Sequence, residues 1–300
     1  MSVRFDGRVA IVTGAGNGLG RSHALALAER GAKVVVNDLG GDRHGAGQSS
    51  AAAQEVVALI KQSGGDAIAN GANVANYEQV QAMVAETMSQ WGRVDVLINN
   101  AGILRDKTLT KMSIDDFDSV VDVHLLGSAY CTKAVWDIMK EQVYGRVVMT
   151  TSGSGLYGNF GQSNYAAAKM AVVGLMNALV LEGEKYNIKV NCLAPAAFTR
   201  MTEDIMPDKR VADMMTPAAV TAGLLTLCHD EAPTRFILCA GAGGYASTRI
   251  YETDGIFLHP ADQTPENIIA NWDKISDETG QRVMTNAGQQ IQKFFKKSHQ

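Results

Sequence analysis

Cysteine is scarce in this chain, with 4 in 300 residues. Cys131, Cys192, Cys228 and Cys239 form no CxxC pair and have no histidine at metal-ligand spacing. A zinc site or a disulfide framework is excluded on that count, and a reducing compartment fits. Proline is sparse too, with 6 residues, and no stretch reads as a Pro-rich linker. Charge of one sign is never clustered. The 27 Lys and Arg against 31 Asp and Glu give a net charge of −4, so a nucleic-acid partner is not expected. Long hydrophobic runs are missing as well. Stretches such as Val94–Ile98 fall far short of the ~18 residues that span a bilayer, so no membrane span is expected. The opening MSVRFDGRVAIVTG carries Asp6 and other charges and does not read as a signal peptide. What the chain does have is 46% hydrophobic and 19% charged residues, which is enough for a large core and excludes disorder.

Short apolar runs alternate with alanine-rich helical patterns. Arg8–Thr13, Lys33–Asp38, Asp66–Ala69, Val94–Asn99, Arg146–Thr151 and Lys189–Leu193 read as strands. Between them, Leu19–Arg30, Ala51–Ser63, Tyr77–Gln90, Ser113–Lys140 (one helix or two) and Tyr165–Tyr186 read as helices. The alternation predicts an α/β fold, a doubly wound parallel sheet with helices on both faces. The strands are continuous apolar runs, as strands covered on both faces should be. The loop Gly40–Ser50 is polar and glycine-rich and reads as a surface connection. Residues 1–250 read as one domain. Residues 251–300 change character, with Pro260 and Pro265, and read as a C-terminal extension of that domain. The end, Ile291 to Lys297, reads as a short amphipathic helix or a frayed tail.

Two patterns carry chemistry. Thr13-Gly14-Ala15-Gly16-Asn17-Gly18-Leu19-Gly20 lies between the first strand and the first helix. Glycines there let the backbone approach a pyrophosphate, and the helix N-terminus supplies N–H groups and partial positive charge. Asp38 closes the second strand, where a carboxylate accepts hydrogen bonds from a ribose diol and repels a 2′-phosphate; this predicts NAD. Arg43, nearby in the loop, could soften that choice. The second pattern is Tyr165 and Lys169, four apart on one helix and so on one face. A neighbouring cation favours the phenolate and makes tyrosine a plausible general acid/base. Ser152, at the end of the preceding strand, could hold the same substrate oxygen.

Together Thr13–Gly20 (TGAGNGLG), Asn99–Gly102 (NNAG), Ser152 and Tyr165–Lys169 (YAAAK) resemble the short-chain dehydrogenase/reductase family, over roughly Gly7 to Gly244. The resemblance implies a Rossmann-like fold and cofactor contacts from Thr13, Gly14, Gly18, Leu19, Gly20, Asp38, Asn100, Ala101, Gly102, Tyr165 and Lys169. Asn73 and Val74 stand where the family has an acid–Val pair against the adenine. Pro195 to Thr199 matches the segment near the nicotinamide, with Ala196 in place of the usual glycine. His124 stands where the family commonly has an asparagine that holds a water in the proton relay; a relay role and a core histidine are both open.

Within the family, VNDLGGD, NAGILRD, YGNFGQSNY and the tail stretch NWDKI resemble the (3R)-hydroxyacyl-CoA dehydrogenase units of multifunctional β-oxidation enzymes. That implies oxidation of an acyl-CoA alcohol, here by a free-standing dehydrogenase. Steroid alcohols, carrier-protein-linked 3-oxoacyl groups and a non-catalytic nucleotide-binding role are the alternatives. Met201, Met206, Met214 and Met215 could wall an acyl chain or be an ordinary helix face. Arg105 and Lys107 could meet CoA phosphates or simply be solvated. The resemblance also implies a homodimer, with a tetramer as the alternative. The ending Ser298-His299-Gln300 is not a peroxisomal SKL signal, so a cytoplasmic protein is expected.

Overall fold

The computed structural model describes residues 2–197 and 213–299. Eight strands form one sheet in the order β3-β2-β1-β4-β5-β6-β7-β8. They are β1 (Val9–Thr13), β2 (Lys33–Asn37), β3 (Asp66–Asn70), β4 (Val96–Asn99), β5 (Gly145–Thr150), β6 (Ile188–Ala196), β7 (Ile237–Gly241) and β8 (Gly244–Thr248). β1 through β7 pair in parallel. Ala242 and Gly243, both at positive φ, connect β7 to β8, as a two-residue hairpin turn requires.

Alternation along the strands splits the core in two. Ala10, Val12, Val34, Val36 and Ile98 face α1 (Gly18–Glu29), α2 (Ala51–Gln62) and α8 (Pro217–Cys228) through Leu27, Val56, Ile60 and Leu224. Ile11, Val35, Leu97 and Val147 face α3 (Tyr77–Trp91), α5 (Gly127–Gln142) and α7 (Ser163–Gly183) through Met83, Val135, Val172 and Met176. Both faces of the sheet are therefore covered, which is why its strands lack a polar side. The stretch read as one helix or two is α4 (Ile114–Val121), a π-helical turn Asp122–Leu126, and α5. Helix α7 with its following turn, Ser163–Tyr186, corrects one expectation: it is long and apolar enough to cross a membrane. Val172, Val173 and Met176 instead bury its inner face against the sheet.

The sequence reading omits β7, β8 and α8. Helix α8 is apolar nearly all round, so it shows no helical period; it starts on Thr216, whose hydroxyl accepts from Ala219 N–H, with Pro217 in the first turn. The other end of the sheet, away from the β1–α1 loop, is closed by a polar network. Arg146 is 1% exposed. Its guanidinium donates to the carbonyls of His229, Gly145, Asn187 and Asp230 at 2.8–3.0 Å. Tyr144 lies against the Arg8 and Arg146 guanidinium groups.

Packing divides the chain into two compact units, Met1–Ser247 and Thr248–Gln300. The second carries α9 (Pro265–Ala270), α10 (Trp272–Ile275) and α11 (Ala287–Lys297). Residues 287–297 are thus helical, resolving the two readings of the tail. Among the unit's described residues only Lys293 is fully buried. Its ammonium donates to Glu252 and to the Thr253 carbonyl.

His23 on α1 is fully buried against α8, with Nδ1 2.7 Å from Thr221 Oγ1. Burial pushes its pKa down to about 3. The ring is neutral in the fold but charges near pH 6.5 once unfolded. Its contribution is complete above pH ~6.5 and is lost as pH falls toward 3, at ~1.4 kcal/mol per unit. Urea unfolding should show this loss between pH 7 and 5, and His23→Asn should flatten it.

Candidate active site

In a sheet of this order the chain leaves β1 toward one side and β4 toward the other. The crevice beyond their C-terminal ends is the place for a ligand. A cleft of about 380 Å³ opens there. Gly14, Gly18, Leu19, Gly20, Asp38, Asn73, Val74, Asn100, Ala101 and Gly102 line it. Ten of the sequence-expected cofactor residues thus converge on one cleft from four separate segments.

The glycine loop and the segment after β4 are built as one piece. Thr13 Oγ1 accepts from Asn100 N–H and Ala101 N–H, both at 3.0 Å. Asn100 Nδ2 donates to the Thr13 and Gly14 carbonyls at 2.9 and 3.1 Å. Thr13 is 1% exposed, so it braces the loop from behind rather than lining the cleft. A Cβ at Gly20 would overlap the Gly14 carbonyl and the Asn100 amide. Asn17 caps α1 without a side-chain hydrogen bond. The first-turn N–H groups therefore stay directed to whatever anion occupies the cleft.

Asp38 holds Gly16 N–H with one carboxylate oxygen and Gly40 N–H with the other, both at 2.7 Å. The carboxylate is thereby fixed at the end of β2. Asn73 Oδ1 accepts from Ala75 N–H, which sets the side-chain orientation at the cleft wall. The loop after β2 departs from its reading as a plain surface connection. Gly41, Asp42, Arg43 and Gly45 also line the cleft. Leu104 N–H donates to the Arg43 carbonyl, and His44 Nδ1 lies 2.9 Å from the Leu104 carbonyl. Composition alone marks this loop as polar; only the fold brings it back across the cleft.

Beside the cleft stand the residues with chemistry. Ser152 caps α6 (Gly153–Tyr157), and its Oγ accepts from Ser154 N–H. The Ser152 hydroxyl is near enough to the Tyr165 phenol to favour its ionised form. Lys169 Nζ lies 5.6 Å from the Tyr165 ring centre. It donates to the Thr150 carbonyl at 2.6 Å, so the end of β5 anchors it. Lys169 is 4% exposed, and burial pushes it down to about 7. Burial raises the Tyr165 phenol, the Ser152 hydroxyl lowers it, and the Asp106 charge raises it again.

His124 sits in the π-helical turn, a feature frequent at functional sites. Its ring meets Tyr165 edge-on, with centres 5.1 Å apart. Nε2 lies 2.8 Å from the Ile103 carbonyl and 3.1 Å from its N–H. Nδ1 is buried with no hydrogen-bond partner among the described residues. The His124 carbonyl accepts from Ser128 Oγ at 2.6 Å. Burial, then the Lys169 charge, holds the ring well below the usual histidine range, so it is neutral. A Cβ at Gly102 would overlap this ring; glycine there lets the cofactor-lining segment lie on His124.

Some sequence expectations fall elsewhere. Pro195 is inside β6, paired with Ala240, and does not line the cleft. Thr199, Met201 and Met206 lie outside the described residues. Arg105 and Lys107 are both held by Asp116, at 3.1 and 2.9 Å. Lys107, Ser113 and Arg105 together lower the Asp116 carboxyl to about 2. Both cations are paired with Asp116, and Arg105 at the same time lines the cleft.

Glycine loop, capless helix start and fixed carboxylate fit a dinucleotide: Gly14, Gly18, Leu19 and Gly20 would hold its phosphates and Asp38 a ribose. Gly20→Ala should weaken nicotinamide dinucleotide binding at least ~10-fold, since the loop must open by the size of a methyl group. Calorimetric titration checks this; unchanged affinity would separate the loop from the cofactor.

Comparison with known proteins agrees with this geometry. The short chain dehydrogenase family model matches residues 8–210. The peroxisomal multifunctional enzyme type 2 of Mus musculus is 49% identical over 281 residues, covering 92% of this chain and 37% of that enzyme. The chain thus spans little more than a third of that relative's length. The full-length peroxisomal multifunctional enzyme type 2 from Drosophila melanogaster superposes with a TM-score of 0.81 at 35% identity, over 98% of this chain and 50% of the other. A 7α-hydroxysteroid dehydrogenase solved with NADH superposes with a TM-score of 0.72 at 28% identity, over 80% and 95%. With the nucleotide loop, the Ser–Tyr–Lys cluster and the parallel sheet all in place, the chain belongs to the short-chain dehydrogenase family and is a nicotinamide-dependent oxidoreductase acting on a CH–OH group.

Proposed function

We propose that the protein oxidises a (3R)-3-hydroxyacyl-CoA to the 3-oxoacyl-CoA with NAD. The observation that carries the substrate class is the extent of the likeness to the multifunctional enzyme, which covers 92% of the chain rather than the nucleotide fold alone. Asp38 carries the choice of NAD, because a fixed carboxylate at the end of β2 opposes a 2′-phosphate. The same carboxylate weighs against a carrier-protein reductase, for which NADPH is the expected donor.

Ser152 and Tyr165 hold the hydroxyl oxygen between them. Tyr165 takes its proton as general base, and Ser152 steadies the oxygen as its charge changes. Lys169, anchored to Thr150, keeps a partial cation under the phenol and favours its ionised form. His124 Nδ1 is a buried ring nitrogen beside Tyr165 at which the proton path can continue. The bound nicotinamide supplies the hydride acceptor, and the protein supplies placement.

A homodimer through α5 and α7 belongs to the same proposal. Met170 and Leu181 are 39% and 50% exposed on α7. A cytoplasmic location belongs to it too, consistent with four free cysteines.

The direct test is NADH formation from NAD with matched (3R)- and (3S)-3-hydroxyacyl-CoA of medium chain length and an estradiol-type steroid. Turnover of the (3R) thioester alone is expected. Turnover of the steroid and neither thioester would move the assignment to steroid alcohols, the chemistry named for the NADH-bound neighbour. Tyr165→Phe should abolish turnover and leave NAD affinity within ~3-fold, because the phenol acts only in the chemical step. Asp38→Ala should raise the use of NADP relative to NAD; an unchanged ratio would remove Asp38 from ribose reading.

A further inference from the structure

Two sequence stretches, NAGILRD and YGNFGQSNY, meet at the start of the helix that carries Tyr165. Gln162 precedes α7 and is 5% exposed. Its Nε2 donates to Asp106 Oδ2 at 2.6 Å, and its Oε1 accepts from Asn159 Nδ2 at 3.0 Å. Both ends of the amide are engaged, so its orientation is fixed. Lys107 and Gln162 form a parallel bridge between their backbones. Asn164, with no exposed surface, adds a second tie. Its Nδ2 donates to the carbonyls of Arg105 and Asp116, and its Oδ1 accepts from Tyr165 N–H at 2.7 Å. The first turn of the catalytic helix is thus bound, on two consecutive even positions, to the loop that continues from the cofactor-lining Asn100–Ile103.

We propose that Asp106, held by Gln162, is a positioning residue that fixes the first turn of α7 and sets the charge environment of the Tyr165 hydroxyl. The inference deepens the proposed reaction and rests on Tyr165 being its acid/base. Among the described residues, four groups act on Tyr165. Lys169 comes from its own helix, His124 from the π-helical turn, Ser152 from the head of α6 and Asp106 from the loop after β4. Burial opposes the phenolate most, Ser152 favours it, and among the described residues the Asp106 charge adds to the opposition; a lysine cation near the ring works the other way. Arg105 and Lys107, the cations beside Asp106 in sequence, are drawn off by Asp116 and leave the Asp106 charge in force. The exposed Asp106 carboxylate adds to the effect of burial in favouring the protonated phenol.

The test reads the phenol itself. The full chain carrying ¹³Cζ-tyrosine is titrated by NMR with NAD present, and the Tyr165 resonance is assigned by its loss in Tyr165→Phe. Asp106→Asn keeps the acceptor for Gln162 and removes the charge; its Tyr165 midpoint should fall by roughly half a pH unit, the size of a charge effect across several ångströms of wet protein. Gln162→Met keeps the charge and removes the clamp; it should broaden the Tyr165 resonance with a smaller movement of the midpoint. Asp115→Asn makes the same charge change out on α4 and should leave the midpoint in place. An unmoved midpoint in Asp106→Asn, or an equal movement in Asp115→Asn, overturns the proposal. Because no substrate enters the titration, a failure to oxidise any alcohol would count against the reaction and not against the Asp106–Tyr165 coupling.

Discussion

The site depends on an amine kept away from water. Lys169 Nζ has one carbonyl of β5 to bind and almost no solvent, and its pKa falls to about 7. That placement has a thermodynamic cost. A lysine in the unfolded chain holds its proton to pH ~10.4. The penalty is complete below pH 7 and fades as pH rises toward that value, at ~1.4 kcal/mol per unit. The fold carries several kcal/mol against itself at neutral pH so that a responsive cation lies beneath Tyr165. Apolar burial on the two covered faces of the sheet offsets that loss.

Everything else in the site follows from where the strands end. β1 and β4 lie side by side, so the loops after them share one crevice. Thr13 and Asn100 join those loops into a single wall. β5 delivers Thr150 to Lys169 and Ser152 to Tyr165. The third small apolar cluster, Ile103, Val120 and Ala168, packs beneath Tyr165 and fastens α7 to the segment that lines the cleft. Cofactor wall and acid/base helix are therefore one mechanical body, with Asp106, Gln162 and Asn164 as its polar seams.

How much of this can be read without coordinates depends on the range of each signal. Gly14 to Gly20 and Tyr165 with Lys169 are local patterns, set by a tight turn and by helical spacing, and the fold places them as expected. Asp38 is legible because the strand before it ends sharply. Ser152 is legible only in company, through its distance from Tyr165. The Asp106–Gln162 clamp joins positions 56 apart, and nothing in either stretch announces the other. Helix α8 hides because its exposed stripe, Ala218, Ala222 and Thr226, is nearly as apolar as its buried face and sets no period. The Gly40–Ser50 loop has the composition of a surface loop, and most of it is exposed; its return over the cleft rests on the Leu104 N–H to Arg43 carbonyl bond and on the His44 ring beside the Leu104 carbonyl, which composition does not encode. Arg105 and Lys107 look free in sequence because Asp116, their partner, lies on the next helix.

The most direct test of the central claim is a ¹⁵Nζ titration of Lys169 in the ligand-free protein, assigned with Lys169→Met. Burial of the amine predicts a midpoint of about 7, well below an ordinary lysine. A midpoint in the ordinary lysine range would mean that Lys169 reaches water, and the account of a desolvated amine governing Tyr165 would be wrong.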